Sequence, residues 1–146
     1  MKKSKYPDWL VPLELAKELK DLGFDEPCIF SYSEGIGITA CLKSGSSNEP
    51  LISDFVIGGN MPNSPLTDLP TFEQAFSWFR KKGYEANISY DFHIDLKCAV
   101  GYAYKIIKDC SWESYSSYYI SYEIAREECL KELIKLYKEK NERINY

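Results

Sequence analysis

The chain contains one histidine, two methionines and no apolar run near the roughly 18 residues that a membrane-spanning helix requires. A single imidazole, His93, restricts histidine-based catalysis and excludes a histidine-rich metal site. The five cysteines, Cys28, Cys41, Cys98, Cys110 and Cys129, are odd in number and show no C-x-x-C spacing. That pattern argues against a disulfide framework and for reduced thiols. An excess of positive charge is also missing, with 18 basic against 22 acidic side chains and a net charge of -4. Phosphate backbones would find few partners, so nucleic-acid binding is disfavoured. Basic residues gather only at Lys2, Lys3 and Lys5 and at Arg80-Lys81-Lys82, where cations at a helix C-terminus oppose the macrodipole. Near the N-terminus, Tyr6-Pro7-Asp8-Trp9-Leu10-Val11-Pro12 places two prolines and a carboxylate where an export signal needs apolar residues. A cytoplasmic location without membrane association is therefore expected.

What is present suits one folded domain. A chain of 146 residues buries roughly 68–70% of its unfolded surface on folding, enough for a core without disulfide, metal or cofactor. The expectation is a single domain over residues 1–146, with residues 1–8 and 139–146 frayed. Aromatic residues reach 15%, and six of the twelve tyrosines lie between Tyr102 and Tyr122. Such enrichment fits either a core with polar handles at its edges or an interaction surface.

The strongest pattern is Tyr84 to Lys97. Tyr84, Ala86, Ile88, Tyr90, Phe92, Ile94 and Leu96 alternate there with Glu85, Asn87, Ser89, Asp91, His93, Asp95 and Lys97, which predicts a strand with one buried face. Val100, Tyr102, Tyr104 and Ile106 keep the alternation and predict an antiparallel neighbour over about 99–108, with the turn between Asp95 and Ala99. Helices are predicted over Leu13–Leu22, stopped by Gly23; from Thr71 to Gly83, with Thr71 and Gln74 as a capping box; and from Ser121, with Tyr122, Ala125, Cys129, Leu133, Leu136 and Tyr137 as a stripe and Glu127 and Lys131 as an i,i+4 pair. Short strands are predicted at Cys28–Ser33, Ile36–Leu42 and Ile52–Ile57. The Gly58–Leu69 stretch reads as irregular, and Cys110–Ile120 as either a covering loop or a short strand. Together these give an α+β fold, order α-β-β-β-α-β-β-α, with one antiparallel sheet of about four to six strands and helices on one face.

Three segments, Leu22-Gly23-Phe24-Asp25-Glu26-Pro27-Cys28, Pro70-Thr71-Phe72-Glu73-Gln74-Ala75-Phe76-Ser77-Trp78-Phe79-Arg80 and Ser121-Tyr122-Glu123-Ile124-Ala125-Arg126-Glu127-Glu128-Cys129-Leu130, carry a family likeness. In that order they resemble small uncharacterised proteins encoded in genomes, prophages and mobile elements of gut Bacteroidetes. The likeness covers most of the chain and implies a shared architecture. It brings no catalytic residues, and the chain departs from the pattern in the Gly58–Leu69 stretch and in its serine- and tyrosine-rich segment.

Candidate chemistry is sparse. Asp91, His93 and Asp95 fall on the polar face of one strand, where carboxylate and imidazole could converge on a metal ion. The simpler reading is the solvated face of a one-sided sheet. A nucleophilic cysteine would need His93 as its base, and nothing in the sequence brings Cys98 or another thiol to it. Gly35-Ile36-Gly37-Ile38-Thr39-Ala40 matches G-x-G-x-x-A, yet β-forming residues follow where a dinucleotide site needs a helix. Asn87-Ile88-Ser89 spells a glycosylation sequon inside a strand. Tyr90, Phe92, Tyr102 and Tyr104 read as core rather than as a base-stacking platform.

The exposed aromatic candidates are Tyr115, Tyr118 and Tyr119, which could anchor a protein partner or a second copy. The expectation is thus a noncatalytic bacterial or phage-derived protein acting by protein contact, at this segment or at Gly58–Leu69. Metal-dependent hydrolysis or metal binding at Asp91, His93 and Asp95 is the alternative, and single-stranded nucleic-acid binding near Arg80-Lys81-Lys82 the third.

Overall fold

The structure, a computed structural model, describes residues 6–35, 37–43, 50–52, 66–93 and 98–144. The fold is α+β. Its elements are α1 (Leu13–Asp21), β1 (Phe30–Ser33), β2 (Gly37–Lys43), β3 (Pro50–Ile52), β4 (Thr67–Leu69), α2 (Phe72–Lys81), β5 (Tyr84–His93), β6 (Cys98–Lys108), β7 (Ser111–Tyr115) and α3 (Tyr122–Ile144). Where the sequence suggested one sheet, the described strands form two, in the orders β3-β2-β1-β4 and β5-β6-β7. The chain divides into two compact units, residues 1–71 and 72–146.

In the first unit, β1 and β2 form an antiparallel hairpin in which Phe30 faces Ala40 and Ser33 faces Gly37. Gly35 and Gly37 therefore sit in a hairpin, and the G-x-G-x-x-A reading falls with the missing helix. The irregular stretch ends sooner than its composition implies: Thr67–Leu69 pairs antiparallel with β1. Leu69 is buried there, which rewards a short strand despite the prolines around it. Leu15, Ala16 and Leu19 share the buried face of α1, and Val11 N–H donates to Pro70 C=O at 2.9 Å. The third strand is described only to Ile52, and residues 53–65 lie outside the described residues.

In the second unit, β6 is the central strand. Tyr84 faces Lys108, Ile88 faces Tyr104 and Tyr90 faces Tyr102 on β5, while Lys105 faces Tyr115 on β7. Described pairing ends at His93 opposite Cys98, so residues 94–97, including the expected turn, lie outside the described residues. One sheet face is covered by helices. Phe72, Ala75, Trp78 and Phe79 of α2 and Ala125, Cys129, Leu130, Leu133 and Ile134 of α3 are buried, at the spacings that form a single stripe on a helix. Trp78, Phe79, Tyr84 and Tyr137 meet edge to face with centroids 5.0–6.2 Å apart, a favoured aromatic geometry.

The ends of these helices follow from sequence. Ser121 Oγ accepts from Ile124 N–H at 3.2 Å and caps α3. The helix then runs on to Ile144, into the 139–146 stretch expected to fray. Lys131 pairs with Glu128 at 2.8 Å, one residue away from the expected Glu127. Gly83 closes α2 at φ +89, and a Cβ there would lie 2.6 Å from Lys108 Nζ and 2.8 Å from Asp109 Oδ1. The positive φ is what favours glycine there, since both close atoms are the ends of side chains that can move.

Candidate functional site: the tyrosine-bearing outer face

Strand register sorts the tyrosines between two faces. Residues directly opposite one another share a face, so Tyr84, Ile88, Tyr104 and Tyr102 look toward the helices. Glu85, Asn87, Ser89 and Asp91 share the outer face with Gly101, Ala103 and Lys105. Tyr115, opposite Lys105, joins the outer face, and the Lys105 ammonium lies 5.7 Å from its ring centre. Such a cation over an exposed ring adds a modest attraction and limits ring motion.

The segment after β7 stays on the sheet by an irregular route built from serine. Ser116 N–H donates to Tyr104 C=O at 3.1 Å, and Ser116 Oγ accepts from Tyr104 N–H at 2.8 Å. A side-chain oxygen thus stands where a strand would present a carbonyl, and the buried Tyr104 amide remains satisfied. Tyr119 and Tyr102 then exchange both backbone bonds, at 2.7 and 2.9 Å. This close approach requires Gly101, whose φ is +133 and whose Cβ would fall 2.6 Å from Tyr119 C=O.

The crossing carries the candidate tyrosines to different places. Tyr118 lies over the outer face, its Cβ 3.5 Å from where a Gly101 Cβ would stand. Tyr115 and, after it, the Asp91 carboxylate push its hydroxyl up to about 12, because both favour the protonated form. Tyr115 and Tyr118 are 55% and 46% exposed. Tyr119 instead faces the helix side and stacks on Tyr104, with ring planes 12° apart and centroids 6.2 Å apart. Burial pushes Tyr104 up to about 12. Tyr119 therefore fastens the segment, while Tyr115 and Tyr118 display rings.

The helix side also departs from the sequence reading. Tyr90, expected in the core, is 51% exposed. It touches Tyr102 at 4.9 Å, and Tyr102 touches Tyr122 at 6.0 Å. Tyr122 is the first residue of α3, so strand beyond the Tyr90–Tyr102 pair extends past the helix that covers the sheet. Alternation told which face Tyr90 occupies; it could not tell where the covering helix begins.

The metal candidates do not come together as a described group. Asp91 acts on the Tyr118 hydroxyl, the side chain of His93 is outside the described residues, and so is Asp95. Among the described residues, no three His, Cys, Asp or Glu side chains are grouped to hold a metal ion. Cys28 and Cys129 are pushed up by burial to about 11 and about 12, which suppresses the thiolate needed for nucleophilic chemistry. The basic run is engaged locally: Arg80 pairs with Glu73, and Lys82 lies 5.1 Å from the Trp78 ring centre.

A cleft of about 410 Å³ opens among Tyr84, Lys108, Asp109, Glu113, Lys140 and Arg143. Its inner cation, Lys108, already donates to Lys82 C=O at 2.7 Å and meets Asp109 at 3.1 Å. Neither histidine nor cysteine lines it. No described helix is long and apolar enough to cross a membrane. Comparison with family models, curated proteins and solved structures finds no match to this chain.

Proposed function

We propose that the chain is a noncatalytic module that binds another protein through the outer face of its three-stranded sheet, with Tyr115 and Tyr118 as anchors. The observation that carries this reading is that two exposed rings share one sheet face, each with a charged neighbour. Tyr115 and Asp91 act on the Tyr118 hydroxyl, and the Lys105 ammonium lies over the Tyr115 ring. Tyrosine offers large contact area for two side-chain torsions. Glu85, Asn87 and Ser89 add hydrogen-bonding groups to the same outer face.

A bacterial or phage-derived setting and action in the cytoplasm belong to the same proposal. The test is affinity capture from a lysate of such a cell, comparing the wild type with a Tyr115→Ala, Tyr118→Ala double variant and with Tyr119→Phe. A protein retained by the wild type and by Tyr119→Phe should disappear from the double variant. Identical capture by all three folded proteins would refute the reading.

A further inference from the structure

The three-stranded sheet ends at β5, and the orientation of that edge can be derived. Gly83 C=O accepts from Asp109 N–H at 3.4 Å, and on the far side of β6 Tyr102 exchanges its bonds with Tyr119. Antiparallel ladders alternate bonded and non-bonded pairs. Glu85, Asn87, Ser89 and Asp91 therefore bond to β6, while Tyr84, Ala86, Ile88 and Tyr90 turn their N–H and C=O groups away from it. Among the described residues, no backbone hydrogen bond reaches these outward groups. The edge strand has neither proline nor lysine, and its register stays regular until the shift between Asp91 and Phe92.

About Asn87 the regular stretch places Tyr84 against Tyr90, Ala86 against Ile88 and Glu85 against Ser89, two apolar or aromatic pairs and no pair of like charges. A two-fold contact demands a surface complementary to itself. From this edge and its self-complementary pairing the geometry points to a second copy of this chain as the occupant, with two β5 strands pairing antiparallel about Asn87 into one continuous six-stranded sheet. Tyr84 then faces Tyr90 of the second copy and Ala86 faces Ile88, so every outward group finds a partner. Glu85 meets Ser89 and Asp91 meets Gly83, and no carboxylate faces another. Centring the pair on Ile88 instead would set Glu85 against Asp91 twice, which like-charge repulsion disfavours. Ala86 and Ile88 are only half-buried, whereas their β6 neighbours Ile106 and Tyr104 are buried. Pairing would complete their burial with one small and one large side chain across the seam. The dimer leaves Tyr115 and Tyr118 outside the seam and sets two copies of that surface on one sheet.

The experiment is sedimentation of the full chain over a concentration series, with three variants. Wild type should approach twice its 16.9 kDa mass. Asn87→Asp brings two carboxylates together on the axis and should weaken the dimer by about tenfold or more while leaving the circular dichroism unchanged. Ala86→Pro removes an outward N–H, the position at which an edge strand tolerates proline, and should also give monomer. Asn87→Cys in a Cys110→Ser background should oxidise to a covalent dimer, because residues on the axis of a non-bonded pair lie about 4.5 Å apart, within disulfide reach. Glu85→Cys in the same background should not. A wild type that stays monomeric throughout, or a dimer that survives Asn87→Asp and Ala86→Pro, would overturn the proposal. Loss of the dimer with partner capture intact would separate this seam from the tyrosine surface.

Discussion

The Asp91 carboxylate helps hold the Tyr118 hydroxyl in its protonated form. The interaction joins a residue of the segment after β7 to the opposite edge strand, across the central strand β6. It also links two positions that the sequence assigned to competing readings, Asp91 to a metal site and Tyr118 to a partner surface.

Replacing Asp91 should weaken that hold. In Asp91→Asn the Tyr118 hydroxyl loses a charged neighbour and should titrate below about 12. Adding Tyr115→Phe should bring it toward the ordinary value of about 10. Ring chemical shifts followed by NMR through the alkaline range would read this directly, and an unchanged titration in the double variant would remove the interaction. Divalent-metal thermal shifts that depend on Asp91 and His93 would instead favour the metal reading.

Alkaline pH should destabilise the fold. Cys28 is pushed up to about 11 and Cys129, Tyr6, Tyr104 and Tyr118 to about 12. Each raised group holds its proton more tightly when folded, so its contribution is complete below the unfolded value and is lost as pH rises through the folded one. Since thiols ionise first in the unfolded chain, stability should begin to fall near pH 9 and continue falling to about pH 12. Urea midpoints measured with reductant between pH 7 and pH 11 should decrease only above about pH 9.

Ser116→Ala should cost about 1–3 kcal/mol, because the buried Tyr104 amide would lose the oxygen that accepts its proton. Hydrogen exchange at that amide should accelerate more than at Ile106, its neighbour on the same strand. Equal acceleration at both would indicate general loosening rather than a local loss.

Cys110→Gly should stabilise the protein by roughly 0.5–1 kcal/mol. The two-residue hairpin between β6 and β7 places Asp109 at φ 47 and Cys110 at φ 67, where a side chain costs about 1–2 kcal/mol and glycine costs little beyond its greater unfolded freedom. Cys110 is exposed, so no packing is lost, and the urea midpoint should rise.

Local pattern made much of this fold legible. Period-two alternation located β5 and β6 and their register of faces, and the stripes from Phe72 and from Tyr122 located α2 and α3. The same local signals gave no account of β4, whose three residues form a strand because Leu69 is buried against its neighbours. They also missed the division into two sheets, which depends on which strands meet. Tyr115 and Tyr118 could be named as exposed because serines surround them. Their separation from Tyr119 depends on the Ser116 irregularity, which shifts facing by a step that alternation cannot count.

Calorimetric titration of the captured partner into three purified proteins tests the central claim most directly. Wild type and Tyr119→Phe should bind with similar affinity, and the Tyr115→Ala, Tyr118→Ala double variant should lose about 2 kcal/mol or more, the loss expected for clustered aromatic anchors. Equal affinity for all three, with the double variant folded, would contradict the account.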